Sequence, residues 1–212
     1  MARIYFSSRH TGNFGDHVGD DLISVHNRRT ELAKHLSLPG IAFMNQVHGN
    51  QIHEVRDLAE RTPTCDALIT THKGIGLAVM VADCIPLLLT SEVAVAAVHV
   101  GRPGLVAEIA PRTIEAMRAL GAKEISGAIG ASICANCYEV SPDMYQEISK
   151  SIPATTTSDE RHALDLVAGL RSQVSNEVTT ITDLHICAKE SSDHFSYRRE
   201  SKTGRQVGVV VL

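Results

Sequence analysis

The sequence contains no tryptophan, and only four phenylalanines and four tyrosines in 212 residues. Little aromatic surface is therefore on offer for stacking the bases of a single strand. A basic excess is also missing: 20 lysines and arginines face 24 aspartates and glutamates, for a net charge of −4. The densest basic runs, Arg28-Arg29 and Arg198-Arg199, are too short to track a nucleic acid backbone. No long apolar run occurs. The most apolar segment, residues 74–90, is interrupted by Asp83, Cys84 and Pro86, which excludes a membrane span. The opening MARIYFSSRH has no apolar stretch of signal-peptide length. Cysteine is scarce and odd in number, at five, which argues for reduced thiols rather than a disulfide framework. The expectation is a cytoplasmic protein without nucleic-acid or membrane partners.

What is present suits a globular chain, with 43% hydrophobic and 21% charged residues. No repeat, low-complexity tract or linker divides it, so one domain over residues 1–212 is expected. The pattern predicts a strand over 2–8 and a helix from an Asp20-Asp21 cap to about Leu36, with Leu22, Val25, Leu32 and Leu36 on one stripe. Six short apolar strands follow, over 41–47, 51–55, 67–70, 76–82, 86–90 and 93–100. Then come a helix over 104–120 disturbed at Pro111, a strand over 125–129 and a helix from Ser141 to about Ile152. A Thr/Ser-rich loop over 153–159, a helix over 161–174, and strands over 178–182 and 206–212 complete the reading. Six strands in succession do not fit a doubly wound parallel fold. The predicted class is mixed α/β (α+β): two packed, largely antiparallel or mixed β-sheets flanked by helices.

Histidine is frequent, with 11 copies. His10, His17, His35, His72 and His162 lie in polar stretches and read as solvated side chains. Three other polar positions interrupt apolar strands beside turns. They are His48 in Asn45-Gln46-Val47-His48-Gly49-Asn50, the Asp83-Cys84 pair before Pro86, and His99 at the end of the strand over 93–100. Functional groups often sit at such rigid strand-to-loop junctions. Two imidazoles and one thiolate make a three-ligand zinc set with the fourth position left for water or substrate, the catalytic rather than structural arrangement. The metal would bring the pKa of a bound water towards ~7. The ligands stand 36 and 15 residues apart, which matches no local metal motif, so spacing alone leaves the assignment open. The same residues suit a metal-free pair, with Cys84 as nucleophile and His99 as its base. They also suit a His2Cys copper site. An oxidase with several coppers needs many more histidines, in His-x-His pairs that this sequence lacks, so copper ranks last.

Two further segments are read as structural. Cys134-Ala135-Asn136-Cys137 has no second cysteine pair to complete a four-cysteine zinc site, and its thiols are expected to pack under a loop. Phe195-Ser196-Tyr197-Arg198-Arg199-Glu200 reads as a charged, solvated loop, unless one arginine clamps a phosphate or carboxylate. Neither a phosphate-cradling glycine loop nor a dinucleotide fingerprint occurs.

Taken together, the segments resemble a known family. They are His17-Val18-Gly19-Asp20-Asp21 with Asn27-Arg28, Asn45-Gln46-Val47-His48-Gly49, Asp66-Ala67-Leu68-Ile69-Thr70, Ala82-Asp83-Cys84-Ile85-Pro86, His99-x-Gly101, Cys137-Tyr138-Glu139-Val140 and Phe195-Ser196-Tyr197-Arg198-Arg199. The match is collinear over nearly the whole chain with the YfiH/YlmD family, long labelled polyphenol oxidoreductase or laccase-domain proteins. The resemblance implies a two-sheet α/β fold similar to the catalytic domain of cytotoxic necrotizing factor toxins. It implies a zinc site at His48, Cys84 and His99. It also implies a purine nucleoside enzyme, one that phosphorolyses adenosine, inosine, guanosine or methylthioadenosine and deaminates adenosine.

Under that resemblance, Asp83 is a candidate to steady the site or move a proton, while Asn45, Gln46 and Arg198 are expected to orient substrate. The expected partners are a purine nucleoside and phosphate, with the chain a monomer or small homo-oligomer. The runner-up is a Cys84–His99 thiol hydrolase or amidase, and the non-enzyme alternative is a metal- or nucleoside-binding protein with a degraded site. Departures from the family pattern bear on these readings. The family's His-x-Gly-Trp-Arg-Gly is here His99-Val100-Gly101-Arg102-Pro103-Gly104, which removes a stacking ring and a cation from their usual positions. Arg102 offers the charge one residue early. The family's Gly-Gly-x-Ser stretch is shortened to residues 9–15, and its Gly-Pro pairs are missing around Cys134 and Ala135.

Overall fold

The computed structural model describes residues 2–156 and 159–212. In chain order the elements are β1 (Arg3–Phe6), α1 (Leu22–His35), β2 (Gly40–Ala42), β3 (Ile52–Glu54), β4 (Ala67–Thr70), β5 (Ile75–Val81), β6 (Ile85–Thr90), β7 (Val95–Val100), α2 (Arg102–Val106), α3 (Ile109–Ala119), β8 (Ser126–Ile129), α4 (Pro142–Ile148), β9 (Ala154–Thr156), β10 (His162–Leu164), α5 (Leu166–Val174), β11 (Thr180–Asp183), α6 (Tyr197–Glu200) and β12 (Gln206–Val211).

Two mixed sheets pack face to face. One has four strands in the order β1-β12-β5-β2, and the other has six in the order β11-β8-β6-β7-β4-β3. Within the six-stranded sheet, β11–β8 and β3–β4 run parallel and the other pairs run antiparallel. β9 and β10 form a separate antiparallel ribbon.

The run of β5 shows why the strands read as apolar on both faces. Leu77, Val79 and Val81 meet Leu68, Leu88, Val95 and Ala97 between the sheets. The alternate residues Ala78 and Met80 meet Leu32 of α1, with Phe14 and Phe43. On the other side of the molecule, Ile85, Leu87 and Leu89 of β6 pack with Leu105, Ile109, Ile114 and Leu170 from α2, α3 and α5. The layers therefore run helix, sheet, sheet, helix. A strand covered on both faces must be a continuous apolar run, and its interruptions are informative.

The class and the two-sheet arrangement match the sequence expectation, but several boundaries differ. The helix expected over 104–120 is two helices, broken where Glu108 takes a left-handed conformation at φ 58°. Pro111 is the third residue of α3, in the first turn, where no intrahelical N–H bond is lost. The helix expected over 161–174 begins only after Asp165, whose side chain accepts from the Ala168 N–H at 2.8 Å, while His162–Leu164 is a strand. Part of the loop expected over 153–159 is β9, and residues 157–158 lie outside the described residues. The strand expected over 41–47 ends at Ala42, freeing the next residues for a loop. Leu22 does not join the buried stripe of α1: it is 62% exposed, whereas Val25 and Leu32 are buried. Among the described residues no helix is long and apolar enough to cross a membrane.

Register sets up the site. β6 and β7 pair antiparallel with Pro86 opposite His99 and Ile85 opposite Val100. The entrance to β6, where Cys84 sits, therefore lies beside the exit of β7, where His99 and Gly101 sit. Residues 43–50, leaving β2, close over the same end.

Candidate active site

Three sequence-predicted residues meet at this end of the sheets. The ligand atoms of His48, Cys84 and His99 all lie within 4.8 Å of one another. His48 Nε2 is 3.7 Å from Cys84 Sγ, and the two imidazole rings meet edge to face with centroids 4.7 Å apart. His99 is buried, Cys84 is half-buried and His48 is exposed. The trio is thus anchored on one side and open on the other.

Backbone strain marks the site. His48 sits at φ 59° and Asp83 at φ 92°, both unusual for residues with side chains. Gly101 has an ordinary φ of −82°, so space rather than backbone freedom requires glycine there. A Cβ at Gly101 would stand 2.6 Å from His48 Cδ2 and 3.2 Å from Cys84 Sγ. Gly101→Ala is therefore expected to push His48 off the trio. The affinity of the trio for added zinc should then fall at least ~10-fold, the cost typical of disturbing what orients a ligand, as read by competition with a chelator in a protein that still unfolds cooperatively. Unchanged zinc affinity in the variant would contradict this account.

The trio is organised from behind by Asp66, a fully buried carboxylate at the entrance to β4. It accepts from the N–H groups of His48 at 2.9 Å and Gly49 at 2.6 Å, and from His99 Nδ1 at 2.7 Å. One carboxylate thus shapes the His48 loop and fixes the His99 tautomer, leaving His99 Nε2 to face the trio. Burial would raise the Asp66 carboxyl, but the His99 hydrogen bond and those backbone donors outweigh it and hold it below the ordinary range. Burial likewise opposes ionisation of Cys84, yet His99 and His48 bring its thiol down to about 6. Burial disfavours the His99 imidazolium, but Cys84 and Asp66 outweigh it and move His99 upward. In metal-free protein the thiolate form of Cys84 therefore grows in as pH rises through about 6. Its alkylation rate is expected to level off above that pH, because the thiolate is the nucleophile. Half-maximal alkylation near the ordinary thiol pKa of about 8.5 would refute the pairing.

The trio opens into a cavity of about 400 Å³, lined also by His17, Gln46, Met80, Asp83, Ile133, Tyr138, Tyr197, Arg198 and Arg205. A groove of about 440 Å³ beside α1 contains none of the trio. The other predicted residues are distributed unevenly. Asp83 accepts from the Ser196 hydroxyl at 2.7 Å and the Arg198 N–H at 2.6 Å, so its carboxylate clamps the segment that enters α6. Gln46 donates to the Met80 carbonyl and accepts from the Met80 N–H, both at 2.8 Å, fixing its amide against β5. Asn45 donates to Thr64 and lines a neighbouring hollow instead. The Arg198 guanidinium donates to the Glu139 carbonyl at 2.9 Å and lies over the Tyr138 ring, 5.0 Å from its centroid.

A family model described as multi-copper polyphenol oxidoreductase laccase matches residues 4–212. The chain belongs to this family. It is 41% identical over 214 residues to the purine nucleoside phosphorylase ORF3 of Streptomyces griseus, covering 94% of this chain and 86% of the relative. A purine nucleoside phosphorylase of Deinococcus radiodurans is 35% identical over 209 residues, covering 93% and 81%. Among solved structures, YlmD from Geobacillus stearothermophilus superposes with a TM-score of 0.87 at 28% identity, covering 99% of this chain and 91% of that one. YfiH from Bacillus licheniformis gives 0.89 at 25% identity, covering 100% and 92%.

Within this laccase-domain protein, several residues that shape the trio or line the cavity escaped the sequence reading. Asp66 and Gly101 lie inside motifs that carried the resemblance, but neither had been given a role. Arg205, just before β12, is packed into the cavity wall, and burial lowers its pKa against the pull of Cys84 and Asp83. Tyr138 and Tyr197 supply aromatic faces although the tryptophan usual in the family is missing. The Phe195–Glu200 segment is not a solvated loop: Phe195 and Ser196 are buried and Arg199 donates to four backbone carbonyls, of Ala188, Lys189, Ser191 and His194. Cys134 and Cys137 do not pack alone either, because Cys187 and Glu190 join them.

Proposed function

We propose that the protein is a zinc-dependent purine nucleoside enzyme, a single domain over residues 1–212. Its substrates are adenosine, inosine, guanosine or methylthioadenosine for phosphorolysis, and adenosine for deamination. The observation that carries the proposal is the convergence of His48, Cys84 and His99 on a cavity that also presents two arginines and two tyrosines. The names of the relatives point the same way. The donor set of one thiolate and two imidazoles fits zinc, and the open side leaves room for a fourth ligand. Among the described residues no other cluster of metal-ligating side chains contains histidine, which supports one catalytic metal rather than several coppers.

His48, Cys84 and His99 would hold the zinc, which would supply Lewis-acid charge beside the reacting centre. Arg198 and Arg205 offer positive charge to phosphate, and Tyr138 and Tyr197 offer ring faces to the purine. Asp83 positions Arg198 through its main chain. In phosphorolysis a phosphate oxygen bonds to the anomeric carbon, the bond to the purine nitrogen breaks, and the base departs with a proton. In deamination water adds at the purine C6 and ammonia leaves.

The test is to incubate purified protein with each nucleoside, with and without phosphate, and to separate free base, pentose phosphate and deaminated nucleoside. Free base that appears only with phosphate, and disappears with chelator, supports the proposal. Turnover that survives complete metal removal would favour the second reading, a Cys84–His99 thiol hydrolase, which the low Cys84 pKa specifically suits. Arg205→Gln is expected to raise KM for phosphate about 10-fold or more while deamination changes less, since a charge-assisted hydrogen bond contributes about 1.5–3 kcal/mol. Equal losses in both reactions would remove Arg205 from phosphate binding.

A further inference from the structure

Behind the cavity wall lies a second group of ligating side chains. Cys134, Cys137, Cys187 and Glu190 place their ligand atoms within 4.8 Å of one another. The two halves are built alike. Cys134 and Cys137 bracket a single 3-10 turn, closed by the Cys137 N–H donating to the Cys134 carbonyl at 3.0 Å. Cys187 and Glu190 bracket a second turn, closed by the Ser191 N–H donating to the Cys187 carbonyl at 2.9 Å. Each half thus presents two ligands separated by two residues, a spacing that zinc sites use repeatedly.

The halves are brought together by main chain rather than by chance contact of side chains. Ser132 donates to Ile186 at 3.1 Å and accepts from Ala188 at 2.9 Å, so the two segments run side by side. The Cys134 N–H donates to Cys187 Sγ at 3.4 Å, the backbone-to-sulfur contact expected of a thiolate ligand. Glu190 Oε1 lies 3.3 Å from Cys137 Sγ and 4.0 Å from Cys134 Sγ. A tetrahedron with zinc–sulfur bonds of about 2.3 Å needs ligand atoms about 3.7 Å apart. The four atoms lie within 4.8 Å of one another, so closing to that spacing asks for about 1 Å at most in any pair.

We propose that Cys134, Cys137, Cys187 and Glu190 form a second metal site, a closed Cys3Glu site for zinc, distinct from the centre at His48, Cys84 and His99. All four positions of a tetrahedron are filled by protein, so this site is structural. Its role follows from the loop it grips. Ile133 and Tyr138, on either side of the first turn, line the active-site cavity. The Cys137 and Glu139 carbonyls receive the Arg198 guanidinium at 3.3 and 2.9 Å. The metal therefore fastens the loop that presents Tyr138 and seats Arg198. The proposal does not depend on the chemistry at the other centre.

The test is elemental analysis of the full chain saturated with zinc and desalted, alongside Cys84→Ala, Cys187→Ser and the double variant. The expected stoichiometries are about two, one, one and zero zinc ions per chain; about one, one, zero and zero would uphold this site and remove zinc from the centre at His48, Cys84 and His99. A Cys187→Ser variant that folds and keeps the wild-type metal content overturns the proposal. If that variant fails to fold, the Cys84→Ala chain alone decides. Stripped of metal and titrated with cobalt(II), it should develop thiolate-to-cobalt charge-transfer absorption with a one-to-one endpoint, and zinc should shield Cys134, Cys137 and Cys187 from maleimide. Absence of that absorption with all three thiols still reactive, or a Cys134–Cys137 disulfide in place of metal, overturns it.

Discussion

Replacing Cys84 with alanine is expected to lower nucleoside turnover by about 10³-fold or more and to remove one metal ion per chain. The magnitude follows from Lewis-acid stabilisation, which is worth several kcal/mol of transition-state charge, with each 1.36 kcal/mol giving a factor of ten. Cys84 contributes the only thiolate of the trio, and its loss leaves two imidazoles, one short of the three protein ligands a catalytic zinc keeps. Activity loss in Cys84→Ala alone would not separate a zinc enzyme from a thiol hydrolase, because both need the sulfur. His48→Ala separates them. His48 is an equal partner in metal binding, but in a metal-free pair His99 already serves as the base, held by Asp66 at 2.7 Å. The zinc reading therefore requires His48→Ala and exhaustive chelation to be as damaging as Cys84→Ala, with zinc re-addition restoring the wild type alone. A His48→Ala variant that keeps a tenth or more of wild-type turnover without metal would sink it. The same elemental analysis tells zinc from copper.

Much of the centre was legible in the sequence because a sheet buried on both faces tolerates few polar residues. His99 ends an unbroken apolar strand, and Asp83-Cys84 separates two others, so each stood out as an interruption that packing alone would not select. Their mutual approach was not legible. It depends on the β6–β7 register that sets Pro86 opposite His99, a long-range pairing that local pattern does not encode. Asp66 was obscured for a related reason. At the start of an apolar strand an aspartate reads as a turn residue, and only the fold shows it buried under three backbone donors and an imidazole. Cys134 and Cys137 gave half a signature, but Cys187 lies 50 residues from Cys137 in a polar stretch and Glu190 is no cysteine, so the other half of the cluster had none. The helix expected over 161–174 failed at its start because His162–Leu164 takes its hydrogen bonds from β9, overriding a weak local preference. The split at Glu108 rests on one left-handed residue without the glycine that usually announces such a break.

Asp66 carries the second large effect. Asp66→Ala is expected to destabilise the protein by about 3–5 kcal/mol, the usual consequence of removing one partner from a buried charged network. The truncation leaves the His48 and Gly49 N–H groups and His99 Nδ1 without their acceptor, and the site is too buried for water to replace it freely. Asp66→Asn is the sharper probe, because it keeps the shape. An amide has one acceptor oxygen, and its NH2 group must face either the loop N–H groups or His99 Nδ1. In the second case the imidazole is driven to the other tautomer, which places a proton on the nitrogen needed for metal. Zinc affinity is then expected to fall about 10- to 100-fold, as for other carboxylates that orient ligating histidines. The pH dependence of metal-free protein should carry the same signature. The lowered Asp66 carboxyl contributes stability that is present above its unfolded pKa of about 3.9 and is lost as pH falls through the folded value. The raised His99 imidazole contributes stability that is present below its unfolded pKa of about 6.5 and is lost as pH rises through the folded value. The stability gap between wild type and Asp66→Asn should therefore be widest between about pH 4 and 6.5. Denaturant unfolding of the metal-free proteins across that range measures it. A gap independent of pH, together with unchanged zinc affinity, would show that Asp66 merely fills space beneath the loop and does not set the protonation of His99.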